Sequence, residues 1–411
     1  MSQAGTLDID FVRKQFPGLK TDWALFDNAG GSQIVHNALD YINRFLTEKN
    51  VQIGGSYQRS LDAAAAMQDA REAGRLLVNA ARPEEIVFGA STTAHLQNLA
   101  RAMRSQLKPG DEIVVSYGDH ESNIGPWVGL QEFGIKLRNW PVNKQSLALE
   151  LDDLRPLLNE RTKLVSIHHV SNILGAVNPV AEIAELVHEH GARLCVDAVA
   201  YAPHRAIDVR AWDVDYYVFS LYKTYGPHYA IMYGKYDHLA ELDTLYHYFY
   251  GKEKVPTKLE PGNAIYELAY ATCGIVDYLT TLGGQVGGGG GKRAKIEAAF
   301  SAIAAREVQF VNRLLSYLRT RNDCRIVGPT VTREELRIPT ISFKFDSHDS
   351  GDVARALEQH KVAIRFGDFH SKRLIEDLDM VPGSGVVRAS LVHYNTFEEI
   401  DRLIDGLQQM R

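Results

Sequence analysis

Short apolar runs and longer amphipathic stretches take turns along the chain from about residue 80 to 235. "EIVFGA", "DEIVVSY", "KLRNWPV", "KLVSIHHV", "RLCVDAV", "VDYYVFS" and "YAIMYG" carry many β-branched and aromatic residues between turn residues, so each predicts a strand. "TTAHLQNLARAMRSQL" and "VAEIAELVHEHG" space their apolar residues as helices do, the second closed by Gly191, while "NIGPWVGLQEFG" and "DDLRPLL" predict shorter helices. Strands alternating with helices imply βαβ units and a mostly parallel sheet covered on both faces. In such sheets ligands bind beyond the carboxyl ends of the strands.

The pattern weakens over 236–292, which holds the aromatic cluster "LYHYFYGK" and ends in the run Gly287 to Gly291. That run predicts a flexible linker, since no strand precedes it to make a phosphate loop. A long helix follows in "KRAKIEAAFSAIAAREVQFVNRLLSYLRTR"; strand-like "TISFKF", "VAIRFG" and "VVRASL" then alternate with helices up to "TFEEIDRLIDGLQQM". This is a smaller α/β unit of roughly one hundred residues, a common domain size. A chain of 411 residues exceeds what one core usually organises. The predicted organisation is an N-terminal segment, 1–25, packing with the small domain, a large domain over 26–285 and a small C-terminal domain over 286–411.

Composition narrows the function classes. An apolar content of 45% and a charged content of 23% are ordinary for a soluble protein, and a net charge of -6 argues against general affinity for nucleic acid or anionic membrane. Cys195, Cys273 and Cys324 are widely spaced and suggest neither a disulfide framework nor a metal site, which fits a reducing cytoplasm. "MSQAGTLDIDFVRKQF" has no apolar signal region and no stretch reaches transmembrane length, so a cytoplasmic protein is expected.

Candidate chemistry gathers at strand ends. Lys223, in "FSLYKTYGPH", sits where an apolar strand runs out, although a lysine is costly to bury. Asp197 ends the strand one βα unit earlier, where an aspartate ordinarily caps a turn. Together, a lysine and a carboxylate at neighbouring strand ends match pyridoxal 5'-phosphate, which needs an imine-forming amine and an acid at its ring nitrogen. In "FGASTTAHLQNLA", Ser91, Thr92 and Thr93 open a helix and form either an ordinary N-cap or an anion site. His120, in "GDHESNIGPW", is either a surface loop histidine or a ring to stack on a flat cofactor. Asn172, in "HHVSNILGAVNP", serves either turn chemistry or donation to a ring oxygen. Arg388, in "GVVRASLVHYN", has apolar flanks and needs an anionic partner, either an internal acid or an amino-acid carboxylate, with Arg365 a second candidate.

Taken in order, "FDNAGGS", "STTAHLQNLA", "DHESNIGPW", "HHVSNILGAVNP", "VDAV", "SLYKTYGP", "EPGNA" and "VVRASLVHYN" resemble the class V aminotransferases, in particular the cysteine desulfurase and selenocysteine lyase branch. The resemblance runs from about residue 20 to the C-terminus and implies the fold type I α/β architecture of pyridoxal-phosphate enzymes. It implies that Lys223 is the Schiff-base lysine and proton shuttle, that Asp197 pairs with the pyridine nitrogen and that His120 stacks on the ring. Thr92, Thr93, Ser220 and Tyr222 would bind the phosphate. Asn263 would reach the phosphate of a neighbouring subunit, implying a homodimer with sites at the interface. Arg388 would hold the substrate carboxylate, helped by Asn172 and the backbone around Asn28 and Ala29.

The departures from that family are specific. Cysteine desulfurases carry a mobile cysteine a few residues after the arginine matching Arg365, and "IRFGDFHSKRLIEDL" has none. Persulfide formation needs that thiolate. Ala200 stands where relatives commonly have Gln or His, and Tyr222 where desulfurases usually have His. The expectation is a lyase acting on an amino acid through an external aldimine, with β-elimination of a C–S or related bond. Transamination and epimerisation are the alternatives within the same chemistry, and a catalytically silent binding homologue is the alternative outside it.

Overall fold

The computed structural model describes residues 5–410 and divides its strands among three sheets. The large sheet holds β2 (Ile86–Gly89), β3 (Glu112–Val115), β4 (Lys136–Asn139), β5 (Thr162–His168), β6 (Arg193–Asp197), β7 (Tyr216–Ser220) and β8 (Ala230–Gly234). Their spatial order is β2-β8-β7-β6-β5-β3-β4. All pairs are parallel except the two that β8 makes, with β2 and with β7. All five residues of β7 and of β8 are buried, as expected of strands covered on both faces. The seven apolar runs read from the pattern are these seven strands.

Helix Thr92–Met103 shows how the local sequence builds the site. Ser91 caps it by accepting the Ala94 N–H, and Leu96, Leu99, Ala100 and Met103 recur at i, i+3, i+4 and i+7 to bury one face. Its N-terminus therefore points to the edge of the sheet where β2 ends.

The stretch 236–292 is more regular than its pattern suggests. Tyr266–Gln285 is a 20-residue helix packed against helices His36–Glu48, Gln58–Val78 and Lys292–Leu318. Because it is covered on most sides, apolar and small residues such as Ala271, Gly274 and Ile275 fill most of its faces and no stripe remains to read. Gly287–Gly291 is not a spacer but the turn joining this helix to Lys292–Leu318. A Cβ at Gly283 would lie 1.8 Å from the Lys295 carbonyl oxygen, so only glycine allows the two helices to approach this closely.

"VAIRFG" is two strands rather than one. β11 (Val362–Ala363) pairs in parallel with β1 (Ala24–Leu25), bringing the N-terminal segment beside the C-terminal residues. β12 (Arg365–Gly367) joins the antiparallel sheet β12-β13-β10-β9 with β13 (Val386–Ser390), β10 (Thr340–Phe345) and β9 (Cys324–Val327). After β1 the chain bridges Asp27 to Ser390 and then passes under the turn that carries Lys223, where Tyr222 O accepts the Ser32 N–H at 3.1 Å. No helix among the described residues is long and apolar enough to cross a membrane.

Candidate active site

β5, β6 and β7 end side by side, and the register places His168 opposite Asp197 and Asp197 opposite Val218. The chain leaves β7 through a single 3-10 turn, Leu221–Lys223. Lys223 points into a cavity with a narrow inner recess of about 70 Å³, which it shares with Asp197, His120 and Thr92. The recess opens into an outer chamber of about 560 Å³, shared with Arg388 and Arg365. Burial pushes the Lys223 amine down to about 8; Arg388 adds to this, and Asp197 and Asp27 oppose it.

Asp197 is buried and accepts the Val199 N–H at 2.9 Å. Burial raises its carboxyl above the ordinary carboxylate range, and the nearby Asp119 raises it further. Asp119, also buried, accepts the His120 N–H at 2.7 Å and the Asn123 amide at 2.6 Å. His168 is paired with Asp197 in the strand register, and its Nδ1 is 3.4 Å from Asp119 Oδ2 without a hydrogen bond among the described residues. Neither Asp119 nor His168 was singled out from sequence, although "HHV" ends β5 and "GDH" follows a few residues after β3.

His120 Nδ1 accepts from the Ser122 N–H at 3.1 Å, so the ring is neutral with its proton on Nε2. Burial and the nearby Lys223 push the ring down to about 4, which agrees. At the other end of the recess, Thr92 and Ser220 hydroxyls are 2.8 Å apart, and Thr93 and Ser91 stand beside them at the positive end of the 12-residue helix. Hydroxyls, a helix N-terminus and a partly buried amine form a set suited to a phosphate group. The Tyr222 ring stacks on His228, 4.6 Å between centroids, and burial raises its hydroxyl above the ordinary range.

The outer chamber is organised by a residue missed in the sequence. Asp27 reaches Arg388 (Oδ1 to Nη2, 3.1 Å) and Arg365 (Oδ2 to Nη1, 3.4 Å), so both guanidiniums share one internal carboxylate. Arg388 is 2% exposed; it also donates to the Asn172 carbonyl at 3.2 Å, lies 3.8 Å over the Phe369 ring, and leaves Nε without a partner among the described residues. Burial lowers its guanidinium to about 10, against the pull of Asp27. Asn172 is engaged with the segment that follows β12, its amide donating to Phe369 O at 3.0 Å and accepting from Ser371 at 2.8 Å. One amide N–H remains to face the cavity.

Not every predicted residue is brought to this place. The Asn28 side chain is buried and occupied by Leu25 O at 2.9 Å, Ser390 O at 2.8 Å and the Tyr394 hydroxyl, so it faces structure rather than cavity. The Ala29 N–H is taken by Ser390 Oγ at 2.8 Å, although Ala29 and Gly30 do line the chamber. Asn263, with φ at 69°, is exposed and borders a separate pocket beside Gly89 and Ala90, apart from Lys223. The three thiols stand elsewhere: Cys195 in β6, Cys273 in helix Tyr266–Gln285 and Cys324 in β9, each pushed up by burial, Cys273 and Cys324 to about 12.

Comparison with known proteins places this cavity in context. The profile of aminotransferase class V matches residues 24–285 and 290–403. The chain is 40% identical to aminotransferase-like protein FGM3 of Gibberella zeae, over 99% of each chain. It is 32% identical to the cysteine desulfurase-like protein ustD of Aspergillus flavus, covering 98% of this chain and 91% of that one. Among solved structures, a cysteine desulfurase of Thermococcus onnurineus NA1 shares the fold, with a TM-score of 0.87, 23% identity and 98% of both chains covered.

Proposed function

The chain belongs to the class V aminotransferase family, and on that premise we propose that it binds pyridoxal 5'-phosphate at Lys223 and acts on an α-amino acid by cysteine desulfurase-like elimination at Cβ, without a thiol to capture the departing group. The carrying observation is Lys223 itself, a lysine amine lowered to about 8 at the floor of a cavity that also holds a buried carboxylate and an anion cradle. These residues fit the cofactor's three needs, an amine for its aldehyde, an acid for its ring nitrogen and donors for its phosphate.

In this reading Thr92, Thr93, Ser220 and Tyr222 hold the phosphate, and Asp197 meets the ring nitrogen. His120, kept neutral, packs flat on the ring. Asn172 donates its remaining N–H to the ring oxygen. Bound there, the cofactor supplies an electron sink for the pair left at the substrate Cα. Arg388 and Arg365 take the substrate carboxylate at the position that Asp27 faces, fixing the amino acid so that its α-hydrogen points to Lys223 Nζ. With cofactor and substrate bound, Lys223 Nζ would be the base that accepts that proton. Asn263 serves the phosphate of a second copy, consistent with its placement away from Lys223 in its own chain.

Purified protein is expected to be yellow, and borohydride is expected to leave the cofactor mass on the peptide containing Lys223. A colourless protein that pyridoxal 5'-phosphate does not reconstitute would overturn the enzyme reading. A panel of β-substituted amino acids is expected to yield pyruvate and ammonia. Sulfide with alanine as co-product would instead point to persulfide chemistry. Amino transfer to added 2-oxo acids would favour the second reading, to which the name of the Gibberella relative draws attention.

A further inference from the structure

The loop after β12 is the least ordinary backbone around the cavity. Gly367, Phe369 and His370 have φ of 127°, 49° and 61°, so two adjacent residues with side chains occupy the left-handed region. Such residues each cost about 1–3 kcal/mol and persist only where the surroundings hold them. Here they are held from both domains. The Glu121 N–H donates to His370 O at 2.8 Å, the Asn172 amide to Phe369 O at 3.0 Å, and the Ser371 hydroxyl to Asn172 Oδ1 at 2.8 Å. Asp368 accepts the His370 N–H at 2.9 Å and the Ser371 N–H at 2.8 Å, and Phe369 is buried under Arg388. The loop is therefore a fixed wall of the chamber.

What this wall presents is an imidazole. The His370 ring lies 5.2 Å from the His120 ring, lines the same chamber as Lys223 and Arg388, is exposed to solvent and makes no side-chain hydrogen bond among the described residues. Arg388 and Arg365 orient the substrate carboxylate on the neighbouring β13 and β12, so the substituent on Cβ extends into the chamber that His370 borders.

We propose that His370 is a catalytic residue, the general acid that protonates the group leaving from Cβ of the substrate. The inference rests on the elimination reading above. Lys223 Nζ takes the α-proton, and the electron pair of that bond forms the Cα–Cβ double bond. The Cβ–X bond breaks with its pair going to X; the His370 side chain, in its protonated imidazolium form, gives X a proton, is left as neutral imidazole, and regains a proton from the solvent to which it is open. The 2-aminoacrylate formed is hydrolysed to pyruvate and ammonia, so no oxidant or reductant is needed. A thiol is unnecessary in this sequence because the departing atom is quenched by a proton rather than by a nucleophile.

The test compares a leaving group that needs a proton with one that does not. Asparagine tolerates the left-handed backbone, so His370→Asn should leave the fold and the yellow cofactor absorbance in place, and His370→Gly is the control for backbone strain. Pyruvate formation from L-serine should fall about 100-fold or more in both variants, whereas that from β-chloro-L-alanine, whose chloride leaves unprotonated, should stay within about threefold. Equal loss on both substrates, no loss on either, or wild-type protein that handles β-chloro-L-alanine but not L-serine would overturn the assignment. Wild-type protein inert to β-chloro-L-alanine would instead overturn the elimination reading on which it rests. Independently of turnover, amide exchange at Glu121 and Ser371 in borohydride-fixed protein should be at least about tenfold slower than in the unfolded chain; exchange at the unfolded rate would remove the fixed wall from the argument.

Discussion

The two ends of the cavity are built by different means. The inner recess is made by consecutive elements of one sheet: β5, β6 and β7 deliver His168, Asp197 and Ser220 within a few residues of their strand ends, and one turn adds Lys223. The outer chamber is made by pieces far apart in sequence, with Asp27 between two arginines more than 330 residues away. A recess set by strand register is rigid and local. A chamber assembled from an N-terminal segment and two strands of the four-stranded sheet depends on how those pieces meet. On the function proposed above, covalent chemistry belongs to the first and substrate choice to the second, and substitutions should separate the two.

The largest effect is expected at Lys223. Lys223→Ala should lower turnover by about 10³-fold or more and abolish borohydride fixation, without changing the affinity of the outer chamber for carboxylates. The depressed amine also predicts a pH signature in cofactor-free protein. Between about 8 and the ordinary lysine value of 10.5 the unfolded chain holds a proton that the folded chain has released. Stability should therefore rise with pH across that window, and Lys223→Met should remove this contribution. Capture of pyridoxal 5'-phosphate should climb until about pH 8 and level above it. A capture profile still climbing at pH 10 would show an ordinary lysine.

Next in size is Asp197→Asn, which should cost about 10²-fold in turnover while leaving fixation at Lys223 intact, because the amide keeps the shape but not the charge offered to the ring nitrogen. Retention of full turnover would place the ring nitrogen elsewhere.

The same contrast governs what the sequence made legible. Lys223, Asp197 and the Ser-Thr-Thr helix start were found because strand patterning puts them at one sheet edge, and the family resemblance agreed. Asp27 was passed over although "FDNAGGS" was in view, because nothing local tells a carboxylate that it will meet Arg388. His370 was invisible for the same reason, and its left-handed backbone has no sequence mark when the residue is neither Gly nor Asn. Helix Tyr266–Gln285 was lost to the opposite cause, burial on so many sides that amphipathicity vanished. "VAIRFG" shows a third limit: the apolar pattern gave extended structure correctly but not that its halves pair with different sheets.

Asp27 offers the test of the outer chamber alone. Without its carboxylate, buried Arg388 loses a counter-charge, and Asp27→Asn should lower stability by about 1–3 kcal/mol, read as a lower Tm. The same change removes an internal competitor for the substrate carboxylate, so KM should fall while kcat holds. A KM that rises would make Asp27 an organiser of the arginines rather than their placeholder.

The smallest and most discriminating change is one methyl group at Gly30. A Cβ there would stand 2.6 Å from Asp27 Oδ2 and 2.9 Å from its Cγ and Oδ1, too close unless the carboxylate moves. The carboxylate is a side-chain end, 27% exposed, so it can swing toward solvent and leave the bridge from Asp27 to Ser390 in place. Gly30→Ala should therefore reproduce Asp27→Asn in direction but not in size, with KM shifted by about two- to threefold and stability lowered by about 1 kcal/mol or less. Fixation at Lys223 and its pH profile should be untouched, since Gly30 borders only the outer chamber. If Gly30→Ala alters cofactor capture instead, the two ends of the cavity are mechanically coupled through the Ser32–Tyr222 contact beneath the lysine turn.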